Sequence, residues 1–264
     1  MLDAIVVGLG PAGSIAAYTL AKSGLRVLAF DRERFPRYKS CGGCISAKVE
    51  GLLDFDFSPV IEETVRGATF TYKSGCTMDI LSDSPVGYNV MRDSFDDLLM
   101  RKAAVSGAEV IEGCRISGFT DNNGSVTVAA SSGERYTARF LIGADGASGL
   151  IGRAFGLNLK ESAVSITSEV EYDSAGFRRR FGDGRLFIDF GAIPYGYGWI
   201  FPKKRCLSVG MAGDTVSIGG RIKDYFNAFA GSHEALKGLE VRGRDGWIVP
   251  VYYSGAGPLI KGSV

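Results

Sequence analysis

Two short stretches of this 264-residue sequence have the residue types and spacing to do chemistry. The first is Lys39-Ser40-Cys41-Gly42-Gly43-Cys44-Ile45-Ser46, in which two thiols flank two glycines. A Cys-x-x-Cys can exchange a disulfide, supply half of a zinc site, or frame a loop whose backbone something flat approaches closely. The second is Gly8-Leu9-Gly10-Pro11-Ala12-Gly13, a G-x-G-x-x-G. Its first glycine permits a tight turn, the second lets a pyrophosphate approach the main chain, and the third lets a helix pack on a strand. The chain has a single histidine, His233, in a polar Gly-Ser-His-Glu stretch that reads as a solvated loop or helix end. That supply is too thin for a serine triad or a histidine metal centre. A hard chemical step would therefore fall to a cofactor.

The elements that must position these residues follow from pattern. Residues 3–8, Asp-Ala-Ile-Val-Val-Gly, are a short β-branched run that predicts a buried parallel strand. Ser14 to Lys22 predict a helix closed by Gly24, and Leu25 to Phe30 a second strand ending in Asp31. Strand, glycine turn, helix, strand and acidic end thus occur in dinucleotide-fold order. The helix N-terminus offers N–H groups to phosphates, and Asp31 sits where a carboxylate accepts ribose hydroxyls. Farther on, Arg92-Asp93 open a helix with Asp93 as N-cap and Asp96 and Asp97 in its first turn. Phe95, Leu98, Leu99 and Ala103 share one face, and Gly107 ends it. Residues 109–138 read as alternating strands with turns at Asn122-Asn123-Gly124 and Ser132-Gly133. Residues 139–146 read as a buried strand ending in Asp145-Gly146, with Ala147-Ser148 leading into a short helix.

Zinc finds no second ligand pair near Cys41 and Cys44, because Cys76, Cys114 and Cys206 are isolated. A catalytic dithiol usually opens a helix after a strand, whereas this one follows an irregular segment containing proline and arginine. The favoured reading is a loop in which Gly42 and Gly43 let backbone approach a flat ring. A second segment, Pro194-Tyr195-Gly196-Tyr197-Gly198-Trp199-Ile200-Phe201-Pro202, fits P-x-x-Y-x-W-x-F-P throughout. Strand alternation projects Tyr197, Trp199 and Phe201 to one side, where three aromatics could line a long apolar slot. The alternative is a face packed in the core. The flanking prolines suit the ends of an edge strand.

The order G-x-G-x-x-G, acidic strand end, Arg92-x-x-Phe95-Asp96-x-x-Leu99, then Gly143-Ala144-Asp145-Gly146 resembles FAD-dependent oxidoreductases of the para-hydroxybenzoate hydroxylase fold. With the Cys-Gly-Gly loop and the aromatic segment, the chain is similar to their geranylgeranyl reductase branch over essentially its whole length. The resemblance implies FAD, with Gly8, Gly10, Ala12 and Gly13 near the pyrophosphate and Asp31 on the adenosine ribose. It puts Arg92 against the cofactor, Ile116 beside the adenine, and Asp145 and Gly146 in the family's Asp-Gly element. Position 31 usually carries glutamate; aspartate is one methylene shorter. The resemblance further implies Cys41, Gly42 and Cys44 on the isoalloxazine side, Cys41 as the candidate catalytic thiol, and Tyr197, Trp199 and Phe201 at the substrate. The implied activity saturates C=C bonds of geranylgeranyl chains on lipids, chlorophyll precursors or quinones, with NAD(P)H or ferredoxin as electron donor. The rivals are a class A flavin monooxygenase or halogenase, and a non-catalytic flavin or electron-transfer subunit.

The expected fold is α/β. A Rossmann-like FAD-binding domain, 1–58 with 93–155, interleaves with a mostly antiparallel β-sheet substrate domain, 59–92 with 156–255. Strands are expected at 163–172, 185–193 and 205–213, and a helix at 218–230. A net charge of +1 gives no electrostatic case for nucleic acid. No apolar run approaches the ~18–20 residues of a membrane span, and five scattered cysteines suit reduced thiols. The expected location is cytoplasmic, with room for peripheral membrane contact, and no metal is expected. In this fold a later Gly-Asp-Ala segment completes the cofactor site, and Gly213-Asp214 reads instead as a strand-end turn. The tail Gly257 to Val264 reads as the approach to a further strand. The expectation is therefore a fragment or truncated copy, whose first strand lacks a parallel neighbour, exposes an apolar edge and binds FAD weakly.

Overall fold

A computed structural model describes residues 1–156, 162–242, 245–250, 260 and 262–264. In chain order the first elements are β1 (Leu2–Val7), α1 (Pro11–Lys22), β2 (Val27–Asp31), β3 (Cys44–Ser46), β4 (Ile61–Val65), β5 (Gly67–Tyr72), β6 (Cys76–Leu81), β7 (Gly87–Val90) and α2 (Arg92–Val105). Then come β8 (Glu109–Glu112), β9 (Ile116–Asp121), β10 (Val126–Ala130), β11 (Arg135–Gly143), α3 (Leu150–Ala154), β12 (Ser162–Glu171) and α4 (Ser174–Phe181). The chain continues through β13 (Arg185–Phe190), β14 (Gly196–Pro202), β15 (Cys206–Asp214), α5 (Thr215–Ile218), α6 (Ile222–Ser232) and β16 (Asp245–Pro250).

Two compact units result. One comprises Met1–Tyr38, Asp93–Lys160 and Tyr252–Val264, the other Lys39–Arg92 and Glu161–Val251. Residues 39–58, expected with the nucleotide half, therefore group with the second unit. The reason is local pairing: β3 is an edge of the β3-β7-β4 sheet, with Cys44 opposite Asn89.

The first unit is built on a six-stranded sheet of order β8-β2-β1-β11-β10-β9. The β8-β2-β1-β11 part is parallel, and β10 and β9 continue it antiparallel. Strand alternation divides its core. Ile5, Val7, Leu28 and Phe30 face a cluster with Ile116, Val126, Val128 and Ile151. On the other side Val6, Val27 and Ala29 meet Ala17 and Ala21 of α1 and Met100 and Ala103 of α2. The first strand does not lack a parallel neighbour, as expected from the sequence, but has two: β2 and β11. The edges of this sheet are β8 and β9, so no exposed apolar edge falls on β1. The described end of the chain lies against this sheet, where Leu141 N–H donates to the Ser263 carbonyl at 2.8 Å.

The second unit holds a seven-stranded sheet of order β16-β12-β15-β14-β13-β5-β6, in which only the β13–β5 pair is parallel. Its core joins Ile166, Ile200, Leu207 and Met211 of the sheet to Phe177 of α4 and Phe226 and Phe229 of α6. The aromatic segment forms β14, which is interior to the sheet and not an edge strand. Prolines are tolerated because Pro194 lies outside the strand and Pro202 ends it, so no interior ladder N–H is lost. The helix expected over 218–230 starts only at Ile222, because Gly219 and Gly220 at φ +58° and +81° break the chain after α5. Asp93 lies inside α2, which begins at Arg92, and its carboxylate accepts from Ser94 N–H at 2.6 Å.

His233 is the plainest reversal. It caps α6, yet it is 5% exposed, with its ring set between Phe187 and Phe229 and its Nδ1 accepting from Ala235 N–H at 3.2 Å. A polar sequence neighbourhood says nothing about the two phenylalanines that bury it.

Candidate FAD site and the Cys-Gly-Gly loop

In the first unit the glycine loop is fixed by its own backbone needs. Gly8 takes φ +96°, and a Cβ there would lie 2.3 Å from the Ala144 carbonyl oxygen and 2.8 Å from Asp145 Cα. A Cβ on Gly13 would lie 1.8 Å from the Gly8 carbonyl oxygen. Both are therefore glycine for packing, Gly8 against Ala144 and Asp145 and Gly13 against Gly8 and Ala144. Gly10 differs: the nearest atom to its missing Cβ is Arg37 Nη2, at 3.7 Å. Nothing among the described residues demands glycine at position 10, which leaves an open approach to the N-terminus of α1.

Asp31 ends β2 as expected and is buried. One carboxylate oxygen accepts from Leu9 N–H at 2.7 Å, the other from Glu33 N–H at 2.9 Å. Asp31 thus clamps the glycine loop to the strand end, a task the sequence does not reveal, and each oxygen keeps capacity for a hydroxyl. Asp145 accepts from Ile151 N–H at 3.2 Å, next to Gly149, where a Cβ would lie 2.0 Å from its Oδ1. Ala12 is exposed in the first turn of α1. Ile116 is placed differently from an open adenine contact, since its side chain belongs to the buried core. Arg92 stands at the start of α2.

Arg37 is the residue that sequence reasoning passed over. Its Nη2 pairs with the fully buried Asp96 at 3.0 Å, while its buried Nη1 has no hydrogen-bond partner among the described residues. An idle guanidinium N–H beside an open glycine at a helix N-terminus fits a phosphate oxygen. The donor set of this loop therefore fits a dinucleotide pyrophosphate. Asp96 lies in a segment that the motifs mark, but Arg37 does not, and their pairing joins positions far apart in sequence.

In the second unit the Cys-Gly-Gly turn lies on the aromatic strand. A Cβ on Gly42 would sit 2.7 Å from Phe201 Cε2 and 2.9 Å from Trp199 Nε1. The Trp199 indole also covers Gly210 of β15, its register partner, where a Cβ would lie 2.2 Å from Cζ2. The rings of Tyr197, Trp199 and Phe201 follow one another at centroid distances of 6.1 and 6.2 Å. They do share one face, as alternation requires, but unequally: Tyr197 is 42% exposed, Trp199 6% and Phe201 8%. The flat rings that Gly42 accommodates within this unit are thus the protein's own. The Trp199 indole N–H, buried beneath that turn, finds no partner among the described residues.

Cys41 and Cys44 are free thiols. Burial, and then the neighbouring Cys41, push the Cys44 thiol up to about 11, so it stays protonated at neutral pH. Desolvation of its inner part, and then Cys41 and Cys44, raise the Tyr197 phenol above its ordinary value.

Residues 1–183 match the model of the FAD binding domain family. The chain belongs to that family. Its cofactor is accordingly FAD, and the open Gly10 with the idle Arg37 N–H agrees with this assignment. The FAD-binding chain is 27% identical to digeranylgeranylglycerophospholipid reductase of Methanococcus vannielii, over 99% of this chain and 66% of that protein. It is 32% identical to geranylgeranyl diphosphate reductase of Rhodobacter capsulatus, over 79% of this chain and 54% of the relative. A crystal structure of a geranylgeranyl bacteriochlorophyll reductase-like protein from Thermoplasma acidophilum superposes with a TM-score of 0.74 at 25% identity, covering 94% of this chain and 65% of that one. The FAD-binding chain thus spans between about half and two thirds of these proteins' lengths.

Proposed function

We propose that this FAD-binding chain acts in the saturation of C=C bonds in geranylgeranyl chains carried by a lipid or a related prenylated molecule. The observation that carries the reading is the seat of the Cys-Gly-Gly turn on Trp199 and Phe201. It joins the two segments through which the sequence resembles geranylgeranyl reductases. Similarity to proteins named as such reductases supports it.

Bound FAD would supply the hydride that one alkene carbon receives. The chain's own residues do the rest. Gly10, the first turn of α1 and Arg37 receive the pyrophosphate, while Asp31 holds the loop and accepts from the ribose. Arg92, Asp145 and Gly146 serve the same cofactor, and Ile116 stands behind the adenine as packing. Tyr197, the open member of the aromatic row, meets the prenyl chain, with Trp199 and Phe201 beneath it as its support. Cys41 would hold the proton for the second carbon, whereas Cys44 stays a neutral thiol beside it. NAD(P)H or a ferredoxin would supply the electrons, and contact with a membrane surface would deliver the substrate.

The test is co-expression with a geranylgeranylated lipid and mass spectrometry of the extracted lipids. Mass increments of one H2 per double bond are expected. Donor-dependent oxygen consumption with no saturated lipid would favour a monooxygenase or halogenase and overturn the reading.

A further inference from the structure

The aromatic row does not end at Phe201. Alternation carries the same face on to Lys203, whose N–H still pairs with the Cys206 carbonyl at 2.9 Å beyond the last residue of β14. Lys203 is 1% exposed. Its ammonium has one partner among the described residues, Glu169 Oε1 at 3.5 Å, and that glutamate is partly open to solvent. The same carboxylate accepts from Ser208 Oγ at 3.1 Å and Cys206 Sγ at 3.2 Å. Above the ammonium lies Gly43, where a Cβ would sit 3.3 Å from Nζ and 2.2 Å from the Val90 carbonyl oxygen.

A buried ammonium is a costly way to fill space. Its desolvation is costly, and a single partner at 3.5 Å offsets only part of that cost. Methionine would fill a similar volume without the charge. Stability alone does not account for Lys203; what it faces does. Gly43 has a left-handed φ of +78°, and its carbonyl accepts from Val90 N–H at 2.8 Å. Asn89 Nδ2, on the same strand β7, donates to the Pro202 carbonyl at 2.8 Å. The turn is therefore gripped by β7 on one side and met by Lys203 on the other.

We infer that Lys203, tethered by Glu169, is a positioning residue that holds the Gly42-Gly43 turn on the aromatic row and so fixes the place of the Cys41 thiol. The inference deepens the reductase reading, in which Cys41 is the reactive thiol, but its test does not use reduction.

The full chain, with and without FAD, is treated with iodoacetamide, and alkylation of Cys41 is measured by mass spectrometry as a ratio to the exposed Cys76. In Lys203→Met the ratio should rise about fivefold, the signature of local opening, with melting temperature held or raised. Lys203→Arg keeps the charge and should hold the ratio near wild type. Glu169→Gln loosens the tether and should shift the ratio in the direction of the methionine variant. An unchanged ratio in folded Lys203→Met overturns the inference, as does an arginine variant as reactive as the methionine one. Should Lys203→Met not fold, an unchanged ratio in Glu169→Gln does the same. A shifted ratio together with a lack of saturated lipid would leave this inference standing and remove the reductase reading.

Discussion

Gly42 and Phe201 occupy space that admits no side chain between them: a Cβ on Gly42 would stand 2.7 Å from the phenylalanine ring. The contact ties the Cys-Gly-Gly turn to a strand with three aromatics on a single face. It also explains the glycine without invoking a ligand at that point. Gly42→Ala should push the Phe201 and Trp199 rings out of register, costing about 1–3 kcal/mol by overpacking. Thermal unfolding and tryptophan fluorescence would both register it. A variant with wild-type melting temperature and spectrum would show that the turn yields freely.

Gly10 separates binding from folding within the glycine loop. A Cβ there meets only the end of the Arg37 side chain, so the fold should hold, while the branches of a valine occupy the approach to the helix N-terminus. Gly10→Val should purify with little flavin absorbance and a nearly unchanged melting temperature. Gly13→Ala should behave in the opposite order, because its Cβ would meet the Gly8 carbonyl. Full flavin content in Gly10→Val would place the pyrophosphate elsewhere.

The idle N–H of Arg37 yields a related expectation. Arg37→Lys keeps a cation beside Gly10 but loses the fork that serves Asp96 and a phosphate together. FAD titration should show weakening of about tenfold, equal to the loss of one charge-assisted hydrogen bond of ~1.4 kcal/mol. Unchanged affinity would mean that the guanidinium serves Asp96 alone.

What the sequence disclosed and what it withheld divide by distance along the chain. The glycine loop and Asp31 follow from spacing within a few residues and appear where the pattern puts them, whereas the strand expected over 139–146 runs over Arg135–Gly143, is mostly exposed and stops before Asp145-Gly146. The aromatic alternation of β14 was likewise visible. Arg37 with Asp96, Lys203 with Glu169 and His233 between two phenylalanines are tertiary pairings, and nothing local marks them. The neighbours of β1 are hidden from local pattern for the same reason, since β11 returns to it only after more than a hundred residues. Trp199 reads as a slot wall in one dimension; in three it lies between Gly42 and Gly210.

Tyr197 is for that reason the right probe of the prenyl chain. Trp199→Ala would empty a core site at a cost of about 3–5 kcal/mol and confuse folding with function. Tyr197→Ala removes a partly exposed ring and should leave flavin content and melting temperature close to wild type. Turnover of long-chain substrates should fall chiefly through a raised KM. Equal use of long and short prenyl substrates by wild type and variant would take Tyr197 out of the substrate site.

His233 makes the last expectation, a dependence of stability on acid. Burial lowers its pKa below the ordinary 6.5, opposed only in part by the nearby Asp189. Between that lowered value and 6.5 the unfolded chain binds more protons than the folded one, so stability rises with pH across this window. The contribution is present above 6.5 and is lost as pH falls below it. His233→Asn keeps an acceptor for the Ala235 N–H but cannot titrate. The melting temperature of wild type should fall more steeply than that of the asparagine variant as pH drops from about 7 to about 5.5. Parallel curves for the two proteins would show that His233 takes up its proton without leaving its place between Phe187 and Phe229.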